Sequence, residues 1–319
     1  MAPFLRLAAA ALFTLVAAAF VLPDQLGGLD RRTPFAQLVA FRPVALAGAL
    51  VVLALLALVL ARTRKVWPFV AGLLAVVLAG GLTLAPRLVA NPPGGGRGLT
   101  VLTANLLNGS GSVERLAELI ARERPDLVAL TEVGAAYRAR LEPLVRPLGY
   151  RAYGSTGPDR PDIAGVTALA RVELGELDAT VDAATHFPSL ELRGGRLDGL
   201  RFVTFHSIAP VRGAVGQWLS DLGRLRAWCA GPAPVVVAGD FNATLDHSPF
   251  RSAAAGCVDA AERTGDGLVG TWPASAPRAV GVQIDHVLAS GGIGAEATSV
   301  WDIPGSDHRA VLTRLRLPR

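Results

Sequence analysis

Three stretches in the first ninety residues, about residues 4–22, 43–61 and 66–86, are almost uninterrupted runs of Ala, Leu, Val, Phe and Gly. At about 1.5 Å rise per residue, roughly 20 residues cross the ~30 Å hydrocarbon core of a bilayer. A backbone in that medium must satisfy its own hydrogen bonds, so each stretch is predicted to be a transmembrane helix. The basic turn Arg62-Thr63-Arg64-Lys65 separates the second and third stretches, and Arg6 precedes most of the first. Short basic segments stay on the cytoplasmic side. The loop from Pro23 to Arg42, and everything after residue 86, then lies outside. Arg31, Arg32 and Arg42 oppose this assignment, partly offset by Asp24 and Asp30. The first stretch has a second reading as a signal peptide, because Ala17-Ala18-Ala19 resembles a cleavage site; its basic n-region is thin, and cleavage leaves the topology unchanged.

The remaining chain is different in kind. A mean hydropathy of +0.41 with 18% charged residues is too apolar for a wholly soluble protein, yet nearly all the acids lie beyond residue 110. The net charge of +5 comes almost entirely from scattered Arg, with Lys65 the only lysine. No block of like charge marks a nucleic-acid arm. Residues 87–98 (RLVANPPGGGRG) read as a Pro/Gly-rich tether. As a flexible coil it reaches on the order of 20 Å, which keeps residues 99–319 close to the bilayer surface.

Within 99–319, Leu99 to Asn105 alternates as a strand; Ser112 caps a helix with Val113, Leu116, Leu119 and Ile120 at helical spacing; Asp126 to Glu132 forms a second strand. Residues 163–174, 199–208 and 282–290 and the final AVLTRLRL read as strands, and Gln217 to Cys229 and Ser248 to Ala255 as helices. Strand–helix–strand order implies packed αβ layers with an ample apolar core.

The chemistry concentrates in PVVVAGDFNATLDHSPF, residues 234–250. Val235, Val236 and Val237 make a buried strand that ends in Gly239-Asp240-Phe241-Asn242. Strand alternation puts Asp240 and Asn242 on one face and Phe241 on the other, while Gly239 permits a turn or a close approach. A plain turn at a strand end is the competing reading. Other polar residues fall at strand ends too: Asn105, Glu132, His206, Asp285, Asp307 and His308. Oxygen ligands suit a hard cation such as Mg²⁺ or Mn²⁺, and a carboxylate beside a histidine orients the imidazole and stabilises its charged form. There is no HExxH, no Cys cluster and no GxxxxGK[ST], which disfavours structural zinc and a P-loop.

Taken in order, TANLLN, PDLVALTEV, GVTALAR, FHSIAP, VVVAGDFNAT, QIDHVLAS and SDHRAV resemble the endonuclease/exonuclease/phosphatase (DNase I-like) superfamily over about residues 99–317. The resemblance implies an α+β four-layer αββα sandwich after the three helices. It also implies Glu132 as principal metal ligand, Asn105 beside it, and Asp307 completing the set or bridging to a second ion. Asp240 would position and deprotonate the attacking water, and Asn242 would hold the phosphate. Asp285 would pair with His308, which stabilises the transition state, and His206 would bind a phosphate oxygen or protonate the leaving group. His286 faces the opposite side of its strand, as a core or supporting group. His186 and His247 read as surface residues, with His247 near enough to touch substrate. Trp272 could line the pocket or the core. The family's tyrosine near the phosphate has no firm counterpart, Tyr153 being in roughly the right region. Cys229 and Cys257, the only cysteines, lie in the part placed outside, where they would pair; the alternative is two buried thiols.

Placement then suggests the substrate. An extracytoplasmic site on a multi-pass cell-membrane anchor favours a phosphorylated lipid, such as undecaprenyl pyrophosphate, and the layout resembles the VanJ-like glycopeptide-resistance membrane proteins. An extracellular nuclease is the alternative, although no basic groove is visible. A binding module with decayed chemistry is the third reading, opposed by the intact ligand set.

Overall fold

The computed structural model describes residues 3–91 and 95–318. Four helices open the chain: α1 (Pro3–Val21), the short α2 (Phe35–Leu38), α3 (Arg42–Leu60) and α4 (Trp67–Leu84). The segments Pro3–Val21, Phe35–Leu60 and Arg64–Leu88 are long and apolar enough to cross a membrane. Their outward faces expose Leu55, Leu58, Leu78 and Leu82. α1 and α4 approach closely because Gly72 has no side chain: a Cβ there would lie 1.9 Å from Thr14 Oγ1.

A two-sheet domain follows as β1 (Arg97–Asn105), α5 (Val113–Glu123), β2 (Leu127–Thr131), α6 (Ala135–Val145), β3 (Tyr150–Gly154), β4 (Val166–Arg171), β5 (Leu177–Asp182), β6 (Ser189–Gly194) and β7 (Arg201–His206). It continues with α7 (Val215–Gly223), α8 (Leu225–Cys229), β8 (Val235–Asp240), α9 (Ser248–Ala253), β9 (Cys257–Asp259), α10 (Ala260–Thr264), β10 (Asp285–Ser290), β11 (Gly294–Asp302) and β12 (Arg309–Leu317). Two six-stranded mixed sheets form, ordered β11-β12-β1-β2-β4-β3 and β5-β6-β7-β8-β10-β9. Leu99, Val101, Leu127 and Ala129 of the first sheet meet Phe202, Val236, Ala238 and Val287 of the second in the central core. Two outer cores complete the sandwich. Leu116, Ile120, Tyr137 and Leu141 bring α5 and α6 onto the first sheet; Trp218, Leu222, Leu225 and Phe250 bring α7, α8 and α9 onto the second.

Several local readings change. The predicted helix 217–229 is two helices, α7 and α8, divided around Arg224. The tether is not free at its start: Ala85–Leu88 is a 3₁₀ turn, Arg87 is buried with its guanidinium 2.9 Å from Leu245 O, and Asn91 N donates to Arg263 O. Part of the rest, residues 92–94, lies outside the described residues. Cys229 and Cys257 form a disulfide with their Cα atoms 5.1 Å apart.

The loop joining α1 to α3, and the end of α4, rest directly on the two-sheet domain. Arg42, the charge most at odds with an outside loop, is fully buried. It pairs with Asp24 and lies 2.9 Å from Asp246 of the two-sheet domain, as does Arg87. Both guanidiniums approach Asp246 Oδ1 off the hydrogen-bond axis, so this contact is chiefly Coulombic. Arg251 reaches Asp24 at 2.7 Å, and Ser248 N donates to Asp30 Oδ2 at 2.6 Å.

Candidate active site

Strand register assembles the site. β1 and β2 are parallel, as are β7 and β8, and all four end at one rim. His206 stands opposite Asp240 in the β7–β8 ladder, and Asp285 opposite Asp240 in the β10–β8 ladder. Three titratable side chains therefore lie in a row across the second sheet, since laterally paired residues share a face. Gly239 allows this register: its φ is +152°, and a Cβ would sit 1.8 Å from Phe205 O on the adjacent strand. The close approach, rather than a turn, is what this glycine serves.

Across the sandwich, Asn105 Nδ2 donates to Asp240 Oδ2 at 2.9 Å and to Glu132 Oε1 at 3.1 Å. Its amide oxygen accepts from Leu107 N. One asparagine thus links the rims of both sheets. Glu132 Oε2 accepts from Asn108 N at 2.6 Å. Asn242 is beside Asp240, but not by strand alternation. Its φ of +45° turns the chain, so that Asn242 N donates to Asp240 Oδ1 at 2.8 Å and Nδ2 to Ser207 O at 3.0 Å. Phe241 enters the outer core as predicted. Leu107, Asn108, Glu132 and Asn242 all hold left-handed φ values of 45–57°. Each is costly for a non-glycine residue, and such costs gather at functional sites.

His308 Nδ1 lies 2.9 Å from Asp285 Oδ2. Its Nε2 is 3.9 Å from both Asp240 Oδ2 and Asp307 Oδ1. Burial works against the charged imidazolium, but Asp285, Asp240 and the Asp285 hydrogen bond outweigh it and push His308 up to about 10. Asp240 is pushed the other way from the usual carboxylate range, up to about 7, chiefly by burial, with the His308 charge opposing. His206, 3.7 Å from Asp240 Oδ2 and stacked on Phe187 at 4.3 Å, is driven down to about 3 by burial and then by the His308 charge. The cluster therefore holds a neutral imidazole, a poised carboxyl and an imidazolium.

The donor set suits a hard cation. Glu132 is half-buried at the rim, and Asp307 Oδ1 is buried without a hydrogen-bond partner, an orphan of the kind a cation satisfies. Asp240, Asp285 and His308 also crowd within 4.8 Å. His308 is a poor ligand there, because Nδ1 faces Asp285 and an imidazolium has no lone pair to give.

The remaining positions read from the sequence divide. Trp272 belongs to the site: its Nε1 donates to Asp307 Oδ2 at 3.0 Å. Ser306 accepts from His308 N and donates to Asn105 O, seating the last loop on β1. His247 is not a surface residue. It is buried, with Nδ1 accepting from Thr244 N and Nε2 donating to Ala36 O of the N-terminal helical region at 2.8 Å; burial lowers its pKa. His186 is exposed. His286 is a core group held between Asp259 Oδ2 and Ala243 O. Tyr153 packs on the central core.

The fold is that of several solved structures. A humanized zebrafish (D. rerio) TDP2 superposes with a TM-score of 0.53 at 18% identity, covering 69% of this chain and 99% of that one. An endonuclease/exonuclease/phosphatase family protein from Bacteroides thetaiotaomicron gives 0.51 at 16% identity, covering 69% and 95%. ANGEL2, a 2′,3′-cyclic phosphatase solved with adenosine-2′,3′-vanadate, gives 0.50 at 14%, covering 69% and 96%. A search of curated proteins finds no match. A two-sheet sandwich with carboxylates, amides and imidazoles at one rim defines a phosphoester hydrolase that works with a divalent metal. The model of the endonuclease/exonuclease/phosphatase family matches residues 102–308, and the chain belongs to that family.

Proposed function

We propose that the protein is a membrane-anchored phosphoesterase, dependent on Mg²⁺ or Mn²⁺, that acts outside the membrane on a lipid-linked phosphate or pyrophosphate such as undecaprenyl pyrophosphate, in the manner of the VanJ-like branch. One observation carries this reading: the loop between the first two membrane helices forms a wall of the cavity that holds Asn242 and His308.

Glu132 and Asp307, with Asn105 beside them, would hold the cation, which neutralises charge on the phosphate oxygens. Asp240 accepts a proton from water as its oxygen forms a bond to phosphorus. The bridging P–O bond breaks, so that a pyrophosphate yields a monophosphate and inorganic phosphate. The His308 imidazolium, oriented by Asp285, donates to the oxygen where charge develops, and Asn242 sits beside it for the phosphate. The neutral state of His206 favours a hydrogen bond to a phosphate oxygen over protonation of the leaving group.

The test is phosphate release from undecaprenyl pyrophosphate by the full-length protein in detergent with Mg²⁺, with and without EDTA, beside double-stranded DNA. Lipid turnover that EDTA abolishes is expected. DNA cleavage without lipid turnover would make the protein a nuclease.

A further inference from the structure

The cavity at the site has both a polar and an apolar lining. It encloses about 380 Å³, within the roughly 300–1,000 Å³ typical of ligand sites. Asn242, His308, His247 and Gln37 are its polar lining, and its apolar lining includes Val211 and Trp272 from the two-sheet domain and Ala40 and Phe41 from the N-terminal helical region. The side chains of Val211, Ala40 and Phe41 offer a phosphate no hydrogen bond. Larger cavities exist, one of about 790 Å³ against Leu268 and Val269, but they hold none of the residues gathered at the rim.

The membrane-region wall is fixed in place and is continuous with the membrane. Ala36 is anchored through its carbonyl to His247, Gln37 donates to Pro210 O, and Arg42 closes the segment by pairing with Asp24 and approaching Asp246. None of these polar contacts fills the cavity. Phe41 and Val211 keep 37% and 57% of their surface exposed. From Phe41 the chain enters α3, and Phe35–Leu60 forms one apolar segment long enough to span a bilayer. Ala40 and Phe41 immediately precede α3, so the apolar lining of the cavity is continuous along the chain with that segment.

We infer that this cavity seats the first carbons of the hydrocarbon chain of a phosphorylated membrane lipid, and that Ala40, Phe41, Val211 and Trp272 set the preference for a chain-bearing ester over a short one with the same head group. The inference rests on the lipid-phosphoesterase reading above. The membrane region is then part of the substrate site as well as an anchor.

The experiment uses the full-length protein in detergent with Mg²⁺ and two soluble pyrophosphates, farnesyl pyrophosphate with a long chain and dimethylallyl pyrophosphate with a short one. The wild type favours the farnesyl ester in kcat/KM. Ala40→Trp, which fills the cavity from the membrane side, and Val211→Trp, which fills it from the domain side, each lower the farnesyl-to-dimethylallyl ratio by about tenfold or more, mainly through KM. An unchanged ratio in both variants, or an equal loss on both esters in both, overturns the chain-binding role while leaving lipid turnover intact as a function. No turnover of undecaprenyl pyrophosphate or of either ester by the wild type overturns the underlying reading, and the inference with it.

Discussion

The two strand–helix–strand units, β1–α5–β2 and β7–α7–α8–β8, run to the same rim, yet the halves of the domain they belong to are built differently. The first delivers Asn105 and a half-buried Glu132 on an open edge. The second buries His206, Asp240 and, on the neighbouring β10, Asp285 almost completely. The second half also carries the disulfide. Among the described residues, the hydrogen bonds and ion pairs from residues 3–91 to the domain fall on residues 210–267. A cation needs an accessible, hydrated edge because ions such as Mg²⁺ keep several waters. Proton transfer near neutral pH needs groups displaced from their ordinary pKa, which burial supplies. On the function proposed above, the open half would hold the metal, while the buried groups of the closed half, together with His308 from the loop before β12, would handle protons.

The largest expected effect tests the closed half. Asp240→Asn should lower kcat by about 10²–10⁴-fold, with little change in thermal midpoint, and added Mg²⁺ should not restore it. Glu132→Gln should behave oppositely: the Mg²⁺ needed for half-maximal rate rises on the order of 10–100-fold, and saturating metal recovers much of the activity. If metal rescues both variants, or neither, the division between the halves is wrong.

The pH profile sharpens the same point. Asp240 must be deprotonated to take a proton, so kcat/KM rises through pH about 7. His308 must be protonated to donate, so the rate falls through about 10. Asp285→Asn removes the leading influence that raises His308 and leaves burial to dominate, so the alkaline limb moves to lower pH. A limb that stays in place would dissociate His308 from it.

Stability effects are smaller and belong to the closed half as well. Asp246→Ala leaves two buried guanidiniums short of a partner and should cost about 3–5 kcal/mol, read as a lower denaturation midpoint with the membrane region attached. Replacing Cys229 and Cys257 by serine releases a loop with a separation of 28 residues, which costs about 3–4 kcal/mol on the chain-entropy account. Comparable losses from exposed pairs on the open half, such as Arg115 with Glu118, would erase the contrast, since such pairs contribute at most about 1 kcal/mol.

Much of this was legible in the residues. Long apolar runs gave helices within a residue or two of their observed ends, and Ser112 caps α5 as read, accepting from Arg115 N. The strands that carry Asn105, His206 and Asp240 show the alternation or β-branched run of a buried strand. Elements without such a pattern escaped notice. β5 is exposed along most of its length, so no alternating face marks it, and α6 contains Pro143, which reads as a break. β9 has three residues and exists only because β10 pairs with it.

What the sequence by itself determined is local: which segments match the length of a bilayer, which alternate or recur at helical spacing, and which acids, amides and histidines stand at strand ends. Each depends on neighbours within a few residues, where helix and strand geometry dictate the side-chain period. Only the tertiary structure decided that Asn105 bridges to Asp240, 135 residues away, that His247 is buried against Ala36, and that Arg42 lies beside Asp246. Those contacts follow from how two sheets and a helical bundle pack, and no local period encodes which distant surface a buried polar group will find.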